Sequence, residues 1–310
     1  MEGKILAVVN EKMPVLENLH ISKHVIGDKP RPRVCIVTGI HGDELEGQYV
    51  CYELARLLND FSGHINGRIE IYPALNPLGV DSVFRGIPTF DLDMNRIFPG
   101  CTDGHVIEKV AHDVIEDLKG ADLVIDIHSS NIYLYEVPQV RMSEETAERL
   151  MPFAQQLNVD FVWVHAAATV LESTIAHSLN TIGTPTVVVE MGIGMRITPG
   201  YGNKLVNGIM NALAHLGVIS EDAQREVSTP FVSTAGHVSM INSPASGVVI
   251  SIASHGSWVE AGETLCIVTD PLRGITLAEV MAPVNGFLFT MRGYPVVYEG
   301  SLIARIFSIG

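Results

Sequence analysis

Between about residues 30 and 220 the chain alternates short β-branched and aliphatic runs with stretches of helical periodicity. Residues 33–39 (Arg-Val-Cys-Ile-Val-Thr-Gly), 68–74, 123–127 (Leu-Val-Ile-Asp-Ile) and 186–189 (Thr-Val-Val-Val) are short and almost wholly apolar. Such runs predict strands covered on both faces. Residues 44–59 carry Leu45, Val50, Leu54, Leu57 and Leu58 at three-to-four spacing, with Asp43 and Glu46 placed as an N-cap and its reciprocal partner. Residues 105–119 set Val106, Val110, Val114 and Leu118 on one stripe, and Gly120 stops it. Residues 169–180 predict a helix closed by Gly183 and Pro185. Thr198-Pro199 opens another helix, whose Val206, Ile209, Leu213 and Leu216 share a face and which ends at Gly217. Strands and helices in this alternation predict an α/β fold, a mostly parallel (mixed) sheet flanked by helices.

The helical signal stops near residue 222, and residues 228–310 are glycine-rich with short alternating strands. The expected organisation is a large α/β domain over 1–225 and a small all-β domain over 226–310. The second contains an internal echo. Ser243–Val249 resembles Ala282–Leu288, offset by 39, and Val259–Leu265 resembles Val297–Leu302, offset by 38 at the glycine. Two half-units, each too small to bury a face alone, predict one compact sandwich. The spacing resembles the barrel-sandwich fold of biotinyl and lipoyl carrier domains. Their acceptor lysine is missing from the corresponding stretch here, Asp270–Leu277, so the fold is expected without the carrier role.

Lys and Arg number 20 against 35 Asp and Glu, a formal net charge of −15 over 310 residues. A chain this acidic repels phosphate backbones and anionic lipid, which excludes nucleic acid and membrane surfaces as expected partners. An anionic small molecule would need local cations. The four cysteines (Cys35, Cys51, Cys101, Cys266) are scattered and predict no disulfide framework. No signal peptide and no apolar run of membrane-spanning length is visible, and the expectation is a cytoplasmic protein. Strand edges in the β domain leave homo-oligomer formation open.

His41 and Glu44 follow the first strand, His128 the strand over 123–127, and Glu190 the strand over 186–189. Carboxyl ends of parallel strands are where ligand-binding groups collect. Two imidazoles and one carboxylate suit zinc with a fourth position left for water. The ion would lower the pKa of that water from about 15.7 towards about 7. Glu190 is then in position to act as general base and acid. Asp126 is expected to orient a ring nitrogen or a nearby backbone group. Arg96 either grips a carboxylate, caps a helix or pairs with Asp91 or Asp93. Arg141 and Tyr133, expected on a loop after His128, either line an acyl pocket or lie on the surface, and His165 is a weaker candidate for the cleft.

Four motifs taken together, Gly39-Ile-His41-Gly-Asp-Glu44, Asp91-Leu-Asp-Met-Asn95-Arg96-Ile-Phe-Pro-Gly100, Asp126-Ile-His128 and Glu190-Met-Gly192, resemble the succinylglutamate desuccinylase/aspartoacylase branch of the zinc carboxypeptidase superfamily. The likeness covers residues 30–220, and the β domain also fits. It implies one Zn2+ on His41, Glu44 and His128, and Glu190 as base and acid. It further implies Asn95 and Arg96 on the substrate carboxylate, with Arg85 polarising the scissile carbonyl. Met94 stands where leucine is more usual, a volume-conserving change. The implied activity is hydrolysis of the amide of a small N-acylated amino acid. A carboxypeptidase acting on peptide C-termini and a non-catalytic metal- or ligand-binding module are the alternatives.

Overall fold

The computed structural model describes residues 3–15, 18–61, 64–165, 172–234 and 237–308. In chain order its elements are β1 (Lys4–Lys12), β2 (Asn18–Ile26), β3 (Arg33–Thr38), α1 (Glu46–Asn59), β4 (Arg68–Tyr72), α2 (Pro77–Ser82), α3 (Val106–Leu118), β5 (Leu123–Ser129), β6 (Leu134–Ser143), α4 (Glu144–Ala154), β7 (Phe161–His165), α5 (Ile175–Thr181), β8 (Thr186–Gly192) and α6 (Pro199–His215). Nine strands follow: β9 (Phe231–Thr234), β10 (Val238–Asn242), β11 (Gly247–Ser251), β12 (Trp258–Val259), β13 (Thr264–Asp270), β14 (Ile275–Met281), β15 (Gly286–Arg292), β16 (Val296–Val297) and β17 (Leu302–Phe307).

The main sheet runs β1-β2-β4-β3-β5-β8-β6-β15-β17-β10. Its centre is parallel across β4, β3, β5 and β8. On either side the pairing turns antiparallel, at β2–β4 and at β6–β8. The side chains of β3 show why helices cover both faces. Val34 and Ile36 pack in one buried cluster with Val50, Leu54 and Leu58 of α1 and Leu205 and Ile209 of α6. Cys35 and Val37 pack on the other face with Val110, Val114 and Leu118 of α3. The carboxyl ends of the parallel strands are thereby left as the open edge of a three-layer structure.

Local chemistry departs from expectation at three places. α1 begins at Glu46, its N-cap is Leu45 with no side-chain cap, and the Glu46 amide donates to Ser129 Oγ at 3.3 Å. The Glu46 carboxylate instead accepts from the Thr198 amide at 2.8 Å, at the entrance of α6. The expected helix over 169–180 is described only from residue 172 onward. Its helical part is Ile175–Thr181, capped by Thr174, whose Oγ1 accepts from the His177 amide at 3.2 Å. Arg141 lies within strand β6, not on a loop.

At the far end of the sheet sits a buried polar cluster. Lys23 Nζ donates to Glu70 Oε2 at 3.0 Å and to Asp117 Oδ1 at 2.7 Å. Arg33 and Arg68 also donate to Glu70, and the Tyr72 hydroxyl reaches it at 2.6 Å. Burial opposes ionisation of Glu70, but its hydrogen bonds from Arg33, Tyr72 and Lys23 and the Arg33 charge outweigh that and hold the carboxyl at about 2.

The internal echo has a structural counterpart. β11, β12 and β13 correspond to β15, β16 and β17, and the two copies exchange their short strands. Gly247 of β11 pairs with Val297 of β16, while Gly286 of β15 pairs with Val259 of β12. Gly262 and Gly300 both turn through positive φ (86° and 84°), which glycine adopts without a Cβ penalty. β14-β13-β11-β16 form a second, antiparallel sheet over a separate core that includes Leu265, Val268, Leu288 and Ile303. The C-terminal strands are also hydrogen-bonded into the main sheet, with Leu134, Tyr135 and Glu136 of β6 paired to Arg292, Met291 and Thr290 of β15. Phe161, Phe287, Phe289 and Phe307 pack together beneath that join. Among the described residues no helix is long and apolar enough to cross a membrane.

Candidate metal centre

β3 ends at Thr38, and Gly39 (φ +68°) turns the chain outward into the His41 loop. The loop is pinned from outside. Leu75 and Asn76 donate amides to the carbonyls of Thr38 and Gly39, and the Gly42 amide donates to the Arg85 carbonyl at 3.3 Å. Gly42 lies so close to the α2 segment that a Cβ there would stand 1.9 Å from the Gly79 carbonyl carbon. The Glu44 amide donates back to the His41 carbonyl at 3.3 Å, a turn that brings both side chains to one point before α1 begins.

His128 arrives from the end of β5, and the pairing of β5 with β8 sets His128 directly beside Glu190. His41, Glu44 and His128 are all buried and can each offer one ligand atom within 4.8 Å of the others. His41 Nδ1 lies 2.8 Å from Glu44 Oε1, and His128 Nδ1 lies 2.9 Å from Glu44 Oε2. Each imidazole has its second nitrogen on a carboxylate. Asp93 Oδ1 is 3.1 Å from His41 Nε2, and Asp126 Oδ2 is 3.1 Å from His128 Nε2. Two histidines so oriented, each with Nδ1 turned to a common carboxylate, form the arrangement that metal-ligating histidines use. His41 Nδ1 is buried without a hydrogen bond of acceptable geometry despite its proximity to Glu44, as expected of an atom aimed at an ion. The N, N, O donor set fits zinc.

The electrostatics are those of a compressed acid–base cluster. For His41, burial disfavours the charge, but Glu44 and Asp93 outweigh it and raise the pKa. For His128 burial is likewise overcome, by Asp126 and Glu44, and the pKa rises well above its ordinary value. Glu44 moves down despite its burial, through both imidazoles. Glu190 moves the other way. Burial raises it, and Arg141 and His128 offset only part of that rise.

Arg85 Nη1 donates to Glu44 Oε1 at 2.8 Å and Nη2 lies 3.7 Å from Asp93, so its guanidinium is at the cluster. Asn95 is buried and its Oδ1 accepts from the Ile175 amide at 3.0 Å, which leaves its amide NH2 as the donor end. Arg96 is exposed and donates to the Asn95 carbonyl at 2.8 Å. Arg141 Nη1 lies 3.5 Å from Glu190 Oε1 on the opposite flank. Tyr133 turns its ring to Tyr294 (5.7 Å between centroids) and Arg292, and His165 stands edge-on to Trp163 (5.9 Å).

Two residues at the site carry no signal of their own in the sequence. Asp93 reads as a possible partner of Arg96, and its position on His41 depends on a loop closing from another segment. Glu136 falls in a stretch expected to be a loop; Gln139 and Arg141 are near it in sequence, but Arg305 comes from the last strand.

A three-layer α/β sheet with a candidate N, N, O metal cluster at its carboxyl edge, a half-buried carboxylate alongside and arginines on both flanks is an arrangement suited to hydrolysis. The model of the succinylglutamate desuccinylase/aspartoacylase catalytic domain matches residues 30–216, and the chain belongs to that family. It is 26% identical to the N-alpha-acetyl-L-2,4-diaminobutyric acid deacetylase of Halomonas elongata, over 89% of this chain and 82% of that protein. Its fold is similar to that of the product-bound ectoine utilization protein EutE (DoeB) from Ruegeria pomeroyi, with a TM-score of 0.81 at 22% identity, covering 100% of this chain and 96% of the other. It is also similar to the succinylglutamate desuccinylase/aspartoacylase from Rhodobacter sphaeroides, with a TM-score of 0.80 at 23% identity, covering 100% and 96%.

Proposed function

We propose that the protein is a zinc-dependent amidohydrolase that removes the acyl group from a small N-acylated amino acid. The observation that carries this is the convergence of His41, Glu44 and His128 within 4.8 Å, with Glu190 next to His128 across the β5–β8 ladder. Family membership and the deacetylase relative support the acyl amino acid as substrate. Four free cysteines support a reducing, cytoplasmic setting.

His41, Glu44 and His128 would hold the zinc, and Asp93 and Asp126 would fix the tautomers of the two imidazoles. Bound there, the ion supplies Lewis-acid polarisation of a carbonyl and a water of lowered pKa. Glu190 takes a proton from the attacking water and returns one to the departing nitrogen as the C–N bond breaks. Burial raises its pKa, which favours the protonated form that must hand a proton to the nitrogen. Arg85 holds the negative charge that develops on the former carbonyl oxygen. Asn95, Arg96 and Arg141 bind the substrate carboxylate, which an acidic protein meets only with fixed guanidinium and amide donors.

Purified zinc-loaded protein, assayed on N-acetyl, N-succinyl and N-formyl amino acids, should hydrolyse one class in preference to C-terminal peptides. Glu190→Gln should keep about one zinc per chain and lower kcat by on the order of 10²–10⁴-fold. Parental turnover in that variant would remove Glu190 from the mechanism. His41→Ala should lose the metal, and full occupancy would overturn the ligand set.

A further inference from the structure

The last strand of the chain reaches the active-site wall. Glu136 of β6, Thr290 of β15 and Arg305 of β17 are neighbours across three consecutive strands, Thr290 pairing with Glu136 on one side and with Arg305 on the other. Arg305 Nη1 crosses Thr290 to donate to Glu136 Oε1 at 2.8 Å. The second oxygen of Glu136 accepts from Gln139 Nε2 at 2.7 Å and from Arg141 Nη2. Glu136 is 1% exposed, so these partners are not replaced by water. Both guanidiniums lie over the Trp163 ring, Arg141 at 5.6 Å and Arg305 at 5.3 Å from its centroid, which restrains their planes.

Charge decides what this cluster can do. A buried Glu136 facing Arg141 alone would form a closed pair and offer an incoming anion almost nothing. With Arg305 on the other oxygen, two guanidiniums balance the two carboxylates Glu136 and Glu190; without it the group would carry a net negative charge that repels an incoming anion. Arg141 is held to Glu136 through Nη2 while Nη1 faces Glu190. We propose that Arg305 is a positioning residue: by engaging Glu136 it frees Arg141 to bind the carboxylate of the substrate. The inference rests on the acyl amino acid reading above and assigns the C-terminal strands a part in substrate selection.

The test is direct binding and turnover with full-length zinc-loaded protein. The ligands are the best N-acyl amino acid from the screen and its neutral carboxamide. Arg305→Gln should weaken calorimetric binding of the carboxylate ligand, and raise its KM, by about tenfold, as expected for losing one charge-assisted contact. kcat should stay within about threefold, and binding of the carboxamide should change much less. Arg305→Lys, which retains the charge, should recover part of the loss. Glu136→Gln/Arg305→Gln, which removes the stranded carboxylate, should recover most of it.

Equal weakening for charged and neutral ligands, or unchanged binding in a folded Arg305→Gln protein with parental zinc content, would overturn the proposal. So would a double variant no better than the single one, or a parental protein that binds the carboxylate ligand no better than the carboxamide. Failure of the deacylase reading looks different: charge-dependent binding that follows Arg305 without turnover of any acyl amino acid.

Discussion

Replacing Glu70 by glutamine tests how the end of the sheet opposite the candidate metal centre is held together. Glu70 is 1% exposed and accepts from Lys23, Arg33, Arg68 and Tyr72. Its folded pKa is about 2 against an ordinary value of 4.5. A depressed carboxylate contributes stability that is fully present above its unfolded pKa and lost as pH falls through its folded pKa. That gap, at roughly 1.4 kcal/mol per unit, is worth about 3 kcal/mol at pH 7. The same linkage leaves about 1 kcal/mol at pH 3, where the unfolded carboxylate is already protonated. Glu70→Gln should therefore be about 3 kcal/mol less stable at pH 7, and the deficit should shrink by more than half at pH 3. Urea denaturation of both proteins at pH 7, 4 and 3 measures this, with the slopes compared to verify that the unfolded states match. A deficit that stays constant with pH would show that shape, not ionisation, is what Glu70 contributes.

The site makes its own predictions. Asp126→Asn keeps an acceptor near His128 Nε2 but removes the charge 3.1 Å away, so zinc affinity should fall by about 10–100-fold in a chelator-competition titration. An unchanged affinity would show that Asp126 does not tune its histidine. Gly42→Ala forces a Cβ to within 1.9 Å of the Gly79 carbonyl carbon, and neither backbone can give way easily. It should destabilise by about 1–3 kcal/mol in thermal melts and lower zinc occupancy, because the His41 loop must shift. Parental melting and occupancy would mean the loop adapts.

Much of this architecture is written in local pattern. The parallel strands, the helices of the core faces and the echo in the C-terminal strands follow from periodicity and glycine placement. His41, Glu44, His128 and Glu190 are legible because each lies at or just past the carboxyl end of a strand of the same parallel set, His128 and Glu190 still within the ladder. What escapes is long-range. In β2 the buried side of an alternating strand reads Leu19, Ile21, Lys23, Val25, and Lys23 interrupts the apolar pattern. It is tolerated there because Glu70 and Asp117, distant in sequence, close around it. Glu46 resembles half of a capping box but serves the Thr198 amide across the fold. Arg141 resembles a loop residue because Pro138 and Gln139 interrupt the strand signal, yet β6 carries both through a shift in its register with β8. In each case the deciding partner is far away along the chain.

The junction at β6 and β15 has a mechanical consequence. A flap that closes over a substrate needs a hinge, a few residues able to absorb rotation. Here three consecutive ladder pairs, Leu134–Arg292 to Glu136–Thr290, join the final strands to the wall of the cleft. Swinging that unit as a gate would require tearing those pairs apart. The C-terminal strands are therefore fixed masonry beside Glu136 and Arg141, not a moving gate.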